Sequence, residues 1–209
     1  MTRIFLVRHG ETEWNKSGIL QGNSDIALTA EGIRQAHLLA DYAPFQRVDA
    51  IYSSDLIRAV DTAKILAEKF NLPVNLKGGL RETNFGDCEG IPLNVLLLKK
   101  IGGFEHFFTR PDKVNPPNGE TFLQCQARVL NALDEIVADH ENQNVVIVSH
   151  GAAIRLMLCA ALSMPIRKMW AIAQFNMAVN TLRFDEGNVT VELINSTAHL
   201  HLFEGNELQ

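Results

Sequence analysis

Cysteine is scarce in this 209-residue chain: Cys88, Cys125 and Cys159 are odd in number, far apart and in no CxxC pair. That excludes a disulfide framework and reads as three reduced core or loop thiols in a cytoplasmic protein. Positive charge is not in surplus either, since 19 Lys and Arg face 24 Asp and Glu for a formal charge of -5. A nucleic-acid partner would call for a basic stripe, so none is expected. No apolar run reaches membrane-spanning length. Met1-Thr2-Arg3 enters a strand pattern at once, so no signal peptide is expected. Internal repeats and low-complexity tracts are missing as well. With 46% hydrophobic and 21% charged residues, the chain has the composition of one soluble domain with a substantial core.

Strand-like apolar runs occur at 3–7, 49–52, 73–76, 145–149, 180–184 and 189–194. Helical spacing lies between the earlier ones. Thr29 predicts an N-cap for a helix from Ala30 to about Asp41, with Glu31 favourable in its first turn. Leu56, Val60, Ala63, Ala67 and Phe70 predict a second helix over about 55–70. Thr121-Phe122-Leu123-Gln124 has the form of a capping box opening a long helix, and another helix follows Gly151. This alternation implies an α/β three-layer sandwich: a mostly parallel central sheet with helices on both faces. Asp185-Glu186-Gly187-Asn188 reads as a hairpin turn, which makes the last two strands an antiparallel edge. From 91 to 118 the rhythm breaks, with Pro92 at a first helical position, a Gly102-Gly103 breaker, then Phe104, Phe107 and Phe108. This predicts a small helical lid inserted into a single domain spanning 1–209.

Two strands end alike, in Val7-Arg8-His9-Gly10 and Val148-Ser149-His150-Gly151. Ligands in open α/β sheets bind beyond the carboxyl ends of strands, so the two histidines are expected to meet there. A neutral imidazole is a competent nucleophile, and neighbouring cations keep it unprotonated. Gly10 is expected to clear space for a close ligand. The helix after Gly151 would offer free N–H groups to an anion. A zinc site is the competing reading of two histidines, but HxxxH and HExxH spacings are missing. Arg58 falls in the first turn of its helix, where a cation opposes the dipole, a local cost that suits a functional residue. Glu82, in the loop after the third strand, could protonate a leaving group, with Glu11, Glu13, Asp87 and Glu89 as rivals. Trp14 and Trp170 are read as packing residues, as are the lid phenylalanines. His199 and His201 are read as part of a frayed polar tail, and His37, His106 and His140 have no evident partner.

The string from Leu6 to Asn15 resembles the signature of the histidine phosphatase superfamily, in its phosphoglycerate mutase-like branch with the Arg8-His9-Gly10 (RHG) motif. Leu28-Thr29-Ala30-Glu31-Gly32, Ser53 to Ala59, Leu80-Arg81-Glu82, Gly119-Glu120-Thr121 and Val148 to Gly151 follow in the family's order. The resemblance implies that His9 becomes phosphorylated, that Glu82 is the general acid and base, and that His150 stabilises the transition state. It places Arg8, Asn15, Gln21, Arg58 and Gly151 around the phosphate, with no metal and no cofactor. The implied reaction is metal-independent hydrolysis of a small phosphorylated metabolite. The short, largely apolar lid carries Lys99, Lys100, Arg110 and Lys113 but no paired arginines, which favours a phosphatase over a phosphoglycerate mutase. A non-catalytic phosphate-binding module is the third reading, disfavoured because nucleophile and acid are both present. Broad-specificity and α-ribazole phosphatases are the nearest in look. No nucleic acid or membrane partner is implied, and a homo-oligomer is left open.

Overall fold

The computed structural model describes residues 1–42, 44–45 and 47–201. Its single six-stranded sheet has the order β3-β2-β4-β1-β5-β6. The strands are β1 Thr2–Arg8, β2 Ala50–Ser53, β3 Val74–Leu76, β4 Asn144–Ser149, β5 Val179–Asp185 and β6 Asn188–Ser196. The pairs β1–β4, β4–β2 and β2–β3 run parallel, while β5 runs antiparallel to both β1 and β6. Glu186 and Gly187 both take positive φ in the β5–β6 turn, as the predicted hairpin requires.

Period-two alternation decides what each face of the sheet buries. Ile4, Leu6, Val145 and Ile147 point into one core, with helices α5 Phe122–Asp139 and α6 Gly151–Ala161. Phe5, Val7, Val146 and Val148 point into the other, with α2 Ala30–Tyr42 and α3 Ile57–Phe70. Truncating a fully buried residue such as Leu6 or Ile147 to alanine would cost ~2–5 kcal/mol. Thr29 accepts the Gly32 N–H and so opens α2, and Thr121 and Gln124 form the predicted reciprocal box at α5. A short helix, α1 Glu13–Lys16, follows β1.

Several expectations shift. Helix α3 starts at Ile57 rather than at Asp55, because Asp55 holds Arg81 in a two-pronged ion pair. The cap comes from a distant side chain instead, since the Ile57 N–H donates to Asp25 Oδ1 at 2.6 Å. Pro92 is the residue before helix α4 Leu93–Lys99, one position earlier than predicted. Gly10 makes room for protein, not for ligand: a Cβ there would lie 2.6 Å from the Gly32 carbonyl oxygen, in the first turn of α2. His140 has a partner in the Tyr52 hydroxyl at 3.0 Å. His199 is not in a frayed tail. It lies 4% exposed in a 3-10 turn at Ala198–Leu200, drawn in as Leu200 packs on the second core.

Candidate active site

The β1–β4 register sets Arg8 opposite Ser149, so the next residue on each strand, His9 and His150, emerges at the same end of the sheet. The His9 N–H bonds the Ser149 carbonyl at 3.0 Å, and the two imidazoles stand with centroids 5.1 Å apart. His9 Nδ1 is 2.7 Å from the Gly10 carbonyl oxygen. A carbonyl only accepts, so the proton sits on Nδ1 and Nε2 is left with its lone pair free. Burial, then Arg58 and Arg8, hold the His9 pKa well below 6.5, so the ring is neutral at physiological pH. His150, fully buried beside it, is depressed for the same reasons and by His9 itself.

Three side chains here carry buried polar atoms with no protein partner: both ring nitrogens of His150, Nε of Arg8 and Nε of Arg58. Each such group left unmet costs ~1–3 kcal/mol. Their clustering is what an anion site looks like when the anion supplies the acceptors. Arg58 Nη1 and Nη2 each donate one bond, to the carbonyls of Ser24 and Gly22, and Arg8 Nη1 donates to that of Gln174. Burial pushes both arginines down to about 10, still fully charged at neutral pH. Asn15 and Gln21 complete the ring. The Asn15 Oδ1 accepts from Thr12 N–H and from Asn176, and the Gln21 Oε1 accepts from the Thr12 hydroxyl. Both residues line the cavity, and with the oxygens occupied each amide keeps an NH2 to donate.

Glu82 lines the same cavity. Its Oε1 accepts from the N–H groups of Thr83 and Ala153 at 2.9 and 3.1 Å, and its Oε2 from that of Ala152 at 3.0 Å. Two of the N–H groups at the start of α6, those of Ala152 and Ala153, are therefore taken by a carboxylate and do not stand free for an anion as expected. Gly151 still lines the cavity, and a Cβ on it would lie 3.3 Å from Arg155 Nη1 and 3.4 Å from Arg8 Nε. The rival carboxyls are engaged elsewhere. Glu11 accepts from Thr29, Glu13 pairs with Lys16, Asp87 accepts from Asn118, and Glu89 ties the 23–24 loop to Phe85.

The cavity holds about 240 Å³, below the usual ~300–1,000 Å³ range, which restricts it to small ligands. Its base is the polar ring, and its mouth is apolar, formed by Trp14, Leu93, Phe107, Phe108 and Trp170. Both tryptophans thus face the cavity in addition to packing. Phe104 and Phe107 are both core and stack on each other, and Phe107 also lines the cavity, tilted against Trp170. His150 is fully buried beside His9. Sequence reasoning missed two contributors. Asn176, on the loop before β5, donates to the carbonyls of His9 and Gly10. Arg155 lines the wall, and its signal was its place four residues past Gly151, one helical turn along the same face. Among the described residues no group of three His, Cys, Asp or Glu side chains could hold a metal ion.

The family model for the histidine phosphatase superfamily (branch 1) matches residues 4–197. "Phosphoserine phosphatase 1" of Hydrogenobacter thermophilus is 34% identical over 97% of this chain and 96% of its own. "Probable phosphoglycerate mutase GpmB" of Yersinia enterocolitica is 34% identical over 100% of both chains. Among solved structures, Bacillus stearothermophilus YhfR superposes with a TM-score of 0.91 at 31% identity, covering 96% of this chain and 100% of that one. A strand-end histidine pair in a ring of cations, on this sheet and in this motif order, accompanies a match over nearly the whole length: the chain belongs to branch 1 of the histidine phosphatase superfamily.

Proposed function

We propose that this protein hydrolyses small phosphomonoesters through a phosphohistidine on His9, without a metal ion. One observation carries the reading: a neutral His9 with a free Nε2 beside unpartnered donors from Arg8, Arg58 and His150. In the first step the Nε2 lone pair forms the N–P bond while the P–O ester bond breaks. The leaving oxygen takes its electron pair and a proton from Glu82. The guanidinium groups match the charge on the non-bridging oxygens, as magnesium does in other phosphoryl transfers, and neutral His150 adds an N–H donor. In the second step Glu82, now a carboxylate, takes a proton from water, whose oxygen attacks phosphorus. The N–P bond breaks, releasing orthophosphate and neutral His9.

A mutase would return the phosphoryl group to a bound acceptor, and one curated relative bears that name. Lys99, Lys100, Arg110 and Lys113 are all exposed, Arg110 pairs with Asp112, and none of the four lines the cavity. That supports hydrolysis over transfer to a second phosphoglycerate held by this segment. The test is p-nitrophenyl phosphate hydrolysis in EDTA. Full activity is expected for the wild type and none for His9→Ala; a rate lost to EDTA and restored by a divalent cation would overturn the metal-free reading.

A further inference from the structure

The arginines of this chain sort into two groups. Every buried or half-buried arginine has a carboxylate partner, as Arg3 has Glu192 and Arg81 has Asp55, except Arg8, Arg58 and Arg155. Those three line one cavity. Arg8 and Arg58 belong to the phosphoryl ring already described; Arg155 has no assigned task.

Its guanidinium is held rigidly. Nε donates to the Ile172 carbonyl at 2.8 Å, Nη1 to the Gly151 carbonyl at 3.0 Å, and the plane lies 5.0 Å over the Trp170 ring. Nη2 has no acceptor among the described residues. Because a methyl on Gly151 would touch Arg155 and Arg8 at once, the two forks are neighbours across that glycine. Arg155 therefore stands between the phosphoryl ring and the apolar mouth, where a leaving group must lie.

Charge balance points the same way. When Glu82 carries the proton that it delivers, three guanidinium groups face a phosphoryl dianion, and one positive charge remains unmatched in a half-buried site. Burial lowers the Arg155 pKa while Glu82 raises it, which shows the group is close to the acid.

We propose that Arg155 recognises a carboxylate on the leaving group, so that the favoured substrates are phosphate esters of short hydroxy acids. The proposal rests on the phosphatase reading above. Shortness follows from the adjacency of Arg155 to Arg8, which leaves room for a few bonds between ester oxygen and carboxylate.

The test compares two matched pairs that differ only in the carboxylate: O-phosphoserine against O-phosphoethanolamine, and 3-phosphoglycerate against 2-hydroxyethyl phosphate. A fork bonding a carboxylate gives the acid member at least about tenfold higher kcat/KM in both pairs. Arg155→Met should bring both ratios close to one, and Arg155→Lys, a point charge without the fork, should give intermediate ratios. Melting temperature is measured in parallel, and a loss of folding alone would lower both members of a pair together and leave the ratio intact. Wild-type ratios near one, or an equal loss on both members in Arg155→Met, overturn the inference. If the wild type cleaves all four esters and forms phospho-His9 but ignores the carboxylate, this inference fails while the phosphatase reading stands. A wild type that cleaves no ester overturns both.

Discussion

Replacing Glu82 by alanine separates acid catalysis from phosphoryl binding. The carboxylate accepts three backbone N–H groups, two of them at the first turn of α6. Their loss exposes those donors to cavity water, so the stability cost is that of a lost helix cap, ~1–2 kcal/mol. A domain of ordinary stability, ~5–15 kcal/mol, stays folded through that. The kinetic effect is larger and depends on the substrate. Positioned acids contribute roughly 10²–10⁴ in rate where the leaving oxygen needs a proton, or about 3–5 kcal/mol of barrier at 1.36 kcal/mol per decade. An alkoxide needs that proton and a nitrophenolate barely does. Measured as kcat/KM over a series from nitrophenyl to alkyl phosphates, Glu82→Ala should therefore steepen the dependence on leaving-group pKa. Nitrophenyl phosphate should lose at most ~10-fold, and alkyl phosphates the full factor. Parallel losses along the series would refute the reasoning and assign Glu82 to binding or to helix capping alone.

Acid sensitivity should track the buried histidines. Burial pushes His199 down to about 4, and His9 and His150 also lie well below 6.5. Below pH ~6.5 the unfolded chain binds protons that the native state refuses, so stability is full above that value and falls as pH drops. His199 alone accounts for ~2–3 kcal/mol between pH 7 and 4; urea titrations should show that slope reduced in His199→Leu, and an unchanged slope would contradict it. Arg128 should behave as a positioning residue for the acid. Its fork holds the carbonyls of Gly79, Arg81 and Glu82 and pairs with Glu120. Arg128→Met should lower kcat on alkyl phosphates by ~10-fold more than on nitrophenyl phosphate, with Arg128→Lys partly restoring it. Equal losses on both would make its role purely structural.

Much of this was readable from residues in order. The continuous apolar runs of β1 and β4 marked buried strands, and Thr121-Phe122-Leu123-Gln124 and Asp185-Glu186-Gly187-Asn188 a cap and a turn, because each is a local signal. The two strand-end histidines were visible, yet their 5.1 Å separation depends on strand order, which the sequence does not carry. What escaped were side chains acting across the fold. Asp25 caps a helix more than thirty residues away, Glu82 fills the start of α6, and Gly10 faces Gly32 rather than a ligand. Arg155 drew no reading from the sequence, and it is the fold that sets it beside Arg8. Such pairings are set by tertiary approach, and no period or capping rule records them.

The central claim is a covalent one, and trapping tests it most directly. Wild-type enzyme quenched during turnover of a labelled phosphomonoester should carry up to one acid-labile, alkali-stable phosphoryl group per chain, mapped by mass spectrometry to His9 and lost in His9→Ala. Turnover at full rate with no such label on His9 would contradict the account.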